Sequence, residues 1–276
     1  MATIIIPANN EEAYLGACLD ALLASDPTPD VVCVIVAANA CTDDTVTLAQ
    51  SRSTDFQKKG WVLHVLDLAQ PGKLNALNVA DARAADGPRI YLDADVIVTP
   101  PLLAQLLEKL DRSDPTYASG TLRIKPTGGL VWHAYARFWA SVPFMSQGVP
   151  GCGLFAVNEA GRSKWGLFPD IISDDTYVRL LFKPEERHSV EASYDWPIVS
   201  GFKRLVKVRR RQDRGVAEIE ERYPELLDND DKLPMGTTGL LQRFLRNPLG
   251  FMAYCSVALA VRYMPAAAET EWARGR

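Results

Sequence analysis

Apolar and polar positions switch between two periods along the first 110 residues. Thr3 to Pro7, apolar from Ile4 onward, reads as a strand. Val31 to Ala37 is a continuous apolar run, as expected of a strand covered on both faces. Between them Tyr14, Leu15, Cys18, Leu19 and Leu22 recur at helical spacing within Glu11 to Ala24, with Asn9 and Asn10 as candidate caps. Thr42-Asp43-Asp44 caps a helix to about Arg52. Trp61 to Leu66 reads as a third strand, Lys73 to Ala84 as a helix and Pro88 to Leu92 as a fourth strand. Pro100-Pro101 opens a helix to about Leu110. This β-α-β-α order predicts an α/β protein with a mostly parallel central sheet and helices on both faces. Ligands of such sheets bind beyond the carboxyl ends of the strands. Pro7, Ala38-Asn39 and Asp93 fall at those ends.

The second half is less regular. Tyr117 to Ile124 reads as a strand and Gly129 to Phe144 as an aromatic-rich helix. Its stripe of Trp132, Tyr135, Phe138, Trp139 and Phe144 suits a core better than a binding platform. Gly151-Cys152-Gly153 leads into the strand Leu154 to Val157. Ser173 to Phe182 has a helical pattern, His188 to Val199 a strand pattern, and Gly201 to about Tyr223 that of a long basic helix. No repeat or low-complexity linker divides the chain.

Nearly half of the 276 residues are apolar, ample for a sizeable core. A net charge of −4 gives no bias toward nucleic acid. Five cysteines, at 18, 33, 41, 152 and 255, have no paired spacing. They predict free thiols in a reducing compartment and argue against a zinc site. The N-terminus enters a strand at once, so no signal peptide is expected and the location reads as cytoplasmic. Asn247 to Val261 carries no charge but falls short of the roughly twenty residues a membrane span needs. Packing on the domain is the first expectation. Peripheral contact with the inner face of a membrane, or pairing in a homodimer, are the alternatives.

Asp93-Ala94-Asp95 is the densest candidate chemistry. Two carboxylates one residue apart at a strand end make an oxygen-rich site for a hard divalent cation, which in turn can hold a diphosphate. With 21 Asp in the chain, about one or two such triplets arise by chance. A second, Asp228-Asn229-Asp230, lies in a polar stretch with no strand before it. Ser173, Asp174 and Asp175 are good caps for a helix starting at Thr176. His64, His133 and His188 show no metal-ligand spacing.

Several segments resemble the family 2 glycosyltransferases, which have the GT-A fold. Ile5-Ile6-Pro7-Ala8-Asn9-Asn10-Glu11-Glu12 is similar to their opening strand and turn, and Ala38-Asn39-Ala40-Cys41-Thr42-Asp43-Asp44-Thr45 to their second-strand loop. Gly72-Lys73-Leu74-Asn75-Ala76-Leu77-Asn78 resembles the next helix start, and Asp93-Ala94-Asp95 the metal motif. Gly151-Cys152-Gly153-Leu154-Phe155-Ala156-Val157 resembles the glycine turn beside the acceptor site, with Asp174-Asp175 where the family carries its acidic pair. The segments follow the family's order and cover about residues 2 to 215. There are two departures. Ala38 stands where the family often has a base-contacting Asp, which leaves Asn39 or Asp43 as substitutes. Arg210-Arg211-Gln212-Asp213-Arg214-Gly215 stands in place of the Gln-x-x-Arg-Trp of processive members.

The resemblance implies transfer of a sugar from a nucleotide diphosphosugar to an acceptor hydroxyl, with inversion. Asp95, with Asp93, would hold Mn²⁺ or Mg²⁺, and Asp175 would be the general base, tuned by Asp174. Pro7, Ala8, Asn9, Glu11 and Asn39 would line the nucleoside pocket, and Lys73 would reach the diphosphate. Arg210 or Arg214, in the basic run Lys203 to Arg214, would close over it, unless that run faces anionic lipid or only solvent. Gly151, Cys152 and Gly153 would flank the acceptor, with Trp165 as a stacking candidate. The resemblance further implies one domain over residues 1–236, a nucleotide-binding half at 1–112 and an acceptor half at 113–236, then a helical extension at 237–276. Two other classes share features: a sugar-nucleotide nucleotidyltransferase and an inactive binding module. A dinucleotide oxidoreductase is excluded, because the first turn lacks Gly-x-Gly-x-x-Gly.

Overall fold

The computed structural model describes residues 1–146, 148–233 and 235–264. It begins with strand β1 (Ala2–Ala8), helix α1 (Leu15–Leu23), β2 (Val32–Asn39), α2 (Thr45–Ser51), α3 (Ser53–Lys58) and β3 (Val62–Leu68). Next come α4 (Lys73–Asp81), β4 (Arg89–Leu92), β5 (Ile97–Val98), α5 (Leu102–Leu110) and β6 (Tyr117–Pro126). Helices α6 (Leu130–Ala140) and α7 (Pro143–Ser146) lead to β7 (Leu154–Val157), α8 (Glu159–Arg162), α9 (Asp174–Leu180) and β8 (Arg187–Ile198). The chain continues through α10 (Phe202–Arg222), α11 (Thr237–Arg246) and α12 (Pro248–Tyr263).

Two compact units divide these elements. The first holds Met1–Leu122, Gly151–Asp170 and Asp174–Asp195; the second holds Arg123–Pro150, Ile171–Ser173 and the chain from Trp196 onward.

In the first unit the sheet order is β3-β2-β1-β4-β7-β6-β8-β5. Strands β3, β2, β1 and β4 are parallel, whereas β7 runs antiparallel to β4 and β6 to β7. Strands β1 and β2 read Ile-Ile-Ile and Val-Cys-Val-Ile-Val because both faces are covered; Ile4, Ile5, Ile6, Val34 and Val36 are wholly buried. Each such side chain contributes about 1.5–3 kcal/mol. The chain leaves β1 toward β2 on one side and reaches β4 on the other. That reversal opens a crevice at the carboxyl ends of β1 and β4, where Pro7 and Asp93 stand.

The second unit is helical. α6 packs its aromatic stripe inward, with Tyr135, Phe138 and Trp139 in one cluster with Leu205 and Val208 of α10 and Val257 and Ala260 of α12. This is the core role its periodicity predicts. Gly250 lets α12 meet α6: a Cβ there would lie 2.2 Å from the carbonyl oxygen of Ala134.

Candidate active site

Three loops meet beyond the sheet. Asn10 and Ala40 adopt φ of 52° and 46°, left-handed values that turn the chain sharply after β1 and β2. Asn9 and Asn10 do not cap α1, which starts only at Leu15. Their side chains cross to the other loop instead, where Asn9 Nδ2 donates to the Asn39 carbonyl (2.6 Å) and Asn10 Oδ1 accepts from the Thr42 amide (2.7 Å). Asp43 accepts from the amides of Thr45 (3.1 Å) and Glu12 (3.2 Å), so the start of α2 is tied to the first loop. Glu11 is buried at this junction, its amide donating to Thr45 Oγ1 at 2.7 Å.

Asn39 is the knot of this arrangement. Its Nδ2 donates to the Ala8 carbonyl (2.8 Å) and its Oδ1 accepts from the Gly72 amide (3.1 Å). Its polar atoms hold the ends of β1 and β2 against the start of α4. Asn39→Ala removes both bonds, including the one to the buried Ala8 carbonyl, which costs about 1–3 kcal/mol. Thermal unfolding of the variant should show a melting temperature several degrees lower.

Four carboxylates gather at the crevice around one ammonium. Lys73, at the start of α4, bridges Asp93 Oδ1 and Asp174 Oδ2, each at 3.0 Å. Asp93 is placed by its own amide, which donates to the Gly153 carbonyl at 2.8 Å. Pro7, Lys73, Asp93, Gly153, Asp174 and Asp175 line one small cleft. Burial works against the charge of Lys73, but Asp174, Asp93 and Asp175 outweigh it and hold the ammonium well above its usual range. Burial pushes Asp95 up to about 7, with the charge of Asp93 adding to it. Burial likewise pushes Asp175 up to about 6, with Asp174 adding and Lys73 opposing. Cys18, under the pair on α1, is raised by burial and then by Asp95 and Asp93.

The site therefore carries more acid than base, and a dication would relieve that excess. Among the described residues no group of three His, Cys, Asp or Glu side chains converges as a metal cage. Mg²⁺-type binding does not require one, since one or two carboxylates suffice when phosphate oxygens and water complete the shell. Asp93 and Asp95 fit that role.

The glycine turn is set by crowding. Gly151 and Gly153 have φ of 66° and 72°. A Cβ on Gly151 would sit 1.7 Å from Tyr117 Oη. The Cys152 carbonyl accepts from Tyr194 Oη at 2.9 Å. Cys152 is itself raised by burial and by the nearby Asp175.

Trp165 belongs to an aromatic cluster. Its ring is buried against Tyr91 and Phe168, and the guanidinium of Arg162 lies over it at 4.4 Å. Arg210 Nη2 donates to the Ala260 carbonyl (2.9 Å) and to that of Met264, so it caps the C-terminus of α12. Arg214 lies exposed on α10.

Sequence reasoning missed one group that shapes the site and one contact within the second unit. Asp81 on α4 binds Tyr91 Oη (2.8 Å), Arg89 (3.2 Å) and Arg162 (2.7 Å), fixing the loop after α8. Gly215 on α10 packs on Ser173, just before Asp174, and Glu218 accepts from the Ile172 amide at 2.8 Å. Only the glycine inside a basic helix signalled this in the sequence.

A mostly parallel mixed sheet with a reversal at β1 and β4, and carboxylates at those ends, is an arrangement of the GT-A type. The sequence profile of Glycosyl transferase family 2 matches residues 3–161, and the chain belongs to that family. Among solved structures it is similar to a mannosyltransferase from Pyrobaculum calidifontis in complex with GDP-Man and Mn²⁺ (TM-score 0.59, 18% identity, 96% of this chain and 76% of that one). It is also similar to S. aureus TarS 1-349 in complex with UDP (TM-score 0.53, 12% identity, 100% of this chain and 95% of that one). A third is glucosyl-3-phosphoglycerate synthase from Mycobacterium tuberculosis in complex with Mn²⁺, UDP-Glc and glycerol 3-phosphate (TM-score 0.54, 19% identity, 80% of this chain and 79% of that one). No curated protein matches the sequence.

Proposed function

We propose that the protein transfers a sugar from a nucleotide diphosphosugar to an acceptor hydroxyl with inversion at the anomeric carbon. The observation that carries this reading is the double bridge of Lys73. It draws the metal-motif Asp93 and the acid-pair Asp174 to 3.0 Å from one nitrogen, beside Asp175. Acid groups at this crevice serve two ends of one displacement. Asp93 and Asp95 would hold Mg²⁺ or Mn²⁺, which when bound stabilises charge on the departing diphosphate. Asp175 takes the proton of the attacking hydroxyl, and its raised pKa of about 6 suits a base working near neutral pH. Lys73 holds Asp174 beside it at 3.0 Å, and its ammonium lines the crevice where a phosphate would sit. Pro7, Ala8 and Glu11 form the nucleoside side through backbone groups and one carboxylate. Gly151, Cys152 and Gly153 shape the acceptor side.

The donors named in the similar structures, GDP-Man and UDP-Glc, are of this chemical class, and both are accompanied by Mn²⁺. A thermal-shift panel of UDP-, GDP- and dTDP-sugars, with and without Mn²⁺, tests the reading. One donor should raise the melting temperature, and more so with the metal, because a ligand that binds only the folded state stabilises it by mass action. No shift with any donor would refute it.

A further inference from the structure

We infer that α11 and α12 form a docking surface for an anionic membrane, with an arginine pocket that receives lipid phosphate. This does not rest on the transferase reading.

α12 is apolar on both faces. Its inner face packs Phe251 and Tyr254 against Phe138 of α6, and Val257 and Ala260 are buried there. Its outer face carries Leu249, Met252, Leu259 and Tyr263 at spacings of three, seven and four, all exposed; Met252 is 62% and Tyr263 70% exposed. On α11 Leu241 and Leu245 repeat at one helical turn, Leu245 also 70% exposed. A helix that is apolar all round is normally covered. No helix among the described residues is long and apolar enough to cross a membrane. The sixteen residues of α12 extend about 24 Å, short of the roughly 30 Å hydrocarbon core. Such a helix lies in the interface rather than through it.

The charge pattern selects the occupant. No Asp or Glu lies between Met235 and Met264, while Arg243, Arg246 and Arg262 do, and none lies between Arg123 and Pro150 either. Arg137, Arg243 and Arg246 line a pocket of about 420 Å³ with Ser141, Gln242 and Asn247, and no carboxylate among its lining residues. Arg243 is anchored there, its Nε donating to the Ser141 carbonyl at 2.8 Å. Arg137 and Arg246 are exposed. Guanidinium forks suit phosphate oxygens, and arginines flanking exposed leucines match the headgroup and acyl layers of an anionic bilayer. A second copy of the chain fits less well, because a symmetric contact would bring arginines together with no acid in this segment to answer them.

The test is co-sedimentation of the full chain with vesicles of phosphatidylcholine alone or with added phosphatidylglycerol. Binding should need the anionic lipid and weaken as salt is raised. Arg137→Gln and Arg246→Gln should each weaken it about fivefold. Leu245→Glu and Met252→Glu should weaken it at least as much, all four variants melting like the wild type because these side chains are exposed. Inorganic phosphate at millimolar level should leave vesicle binding in place. Equal binding to neutral vesicles, no binding to either, or displacement by free phosphate would overturn the proposal. So would a dimer in light scattering that Leu245→Glu dissociates.

Discussion

Asp175→Asn should lower kcat by about 10² to 10⁴, the usual contribution of a positioned general base, while leaving donor affinity close to wild type. Asn keeps the side-chain oxygen that accepts from the Thr176 amide at 2.7 Å, so the start of α9 is preserved and only the proton acceptor is removed. The wild-type rate should fall on the acid side of about pH 6, where burial and Asp174 set the Asp175 pKa, and the variant should lose that limb. Stability moves the other way. A carboxyl whose folded pKa is raised binds a proton in the native state before it does in the unfolded chain. Its ionisation therefore destabilises the fold progressively from about pH 4 up to about pH 6, and fully above that. Asp175→Asn removes that burden, so it should melt higher than wild type at pH 8 and level with it at pH 4. Single-turnover rates, donor titration and melting curves at the two pH values measure all three. A variant that turns over normally would take Asp175 out of the mechanism.

Gly151→Ala should destabilise the protein by about 3 kcal/mol or more and abolish turnover. Left-handed backbone at a non-glycine residue costs about 1–3 kcal/mol, and overpacking a core adds about 1–3 kcal/mol. Here the added Cβ would fall 1.7 Å from Tyr117 Oη, which is buried and has no hydrogen-bond partner among the described residues. Tyr117→Phe by itself should thus be neutral or slightly stabilising. Combined with Gly151→Ala it should recover part of the loss, since the next atom, Tyr117 Cζ, is 3.0 Å away. The positive φ of 66° remains and limits the rescue. Chemical denaturation of the four proteins gives the coupling; strict additivity would show that the hydroxyl is not the obstacle. Activity fails with the fold because the same turn supplies the Gly153 carbonyl that fixes Asp93.

Much of the first unit was legible in the chain. The apolar runs of β1, β2 and β4 and the exact strand Leu154–Val157 appear where periodicity puts them, because a strand buried on both faces has no polar register to confuse it. The helix starts were read less well. Asn9 and Asn10 have cap chemistry, yet their bonds go to the loop after β2, and side chains that suit a cap suit a loop bridge equally. The short α3 and α8 were missed, since one or two turns carry too little periodicity to register. Trp165 looked available beside a glycine turn; only the fold brings Tyr91, Phe168 and Arg162 onto its ring.

The linear order of residues determined the class of fold, the sheet ends at which carboxylates gather and the family to which the chain belongs. Those depend on local period and on motif order, which a sequence carries directly. Tertiary structure alone decided that Lys73 spans two acidic segments about eighty residues apart, that the Asn39 side chain ties two strand ends to the start of α4, and that the outer side of α12 is exposed among the described residues. Each of these is a meeting of distant segments, and a sequence does not state which distant segments come within 3 Å of one another.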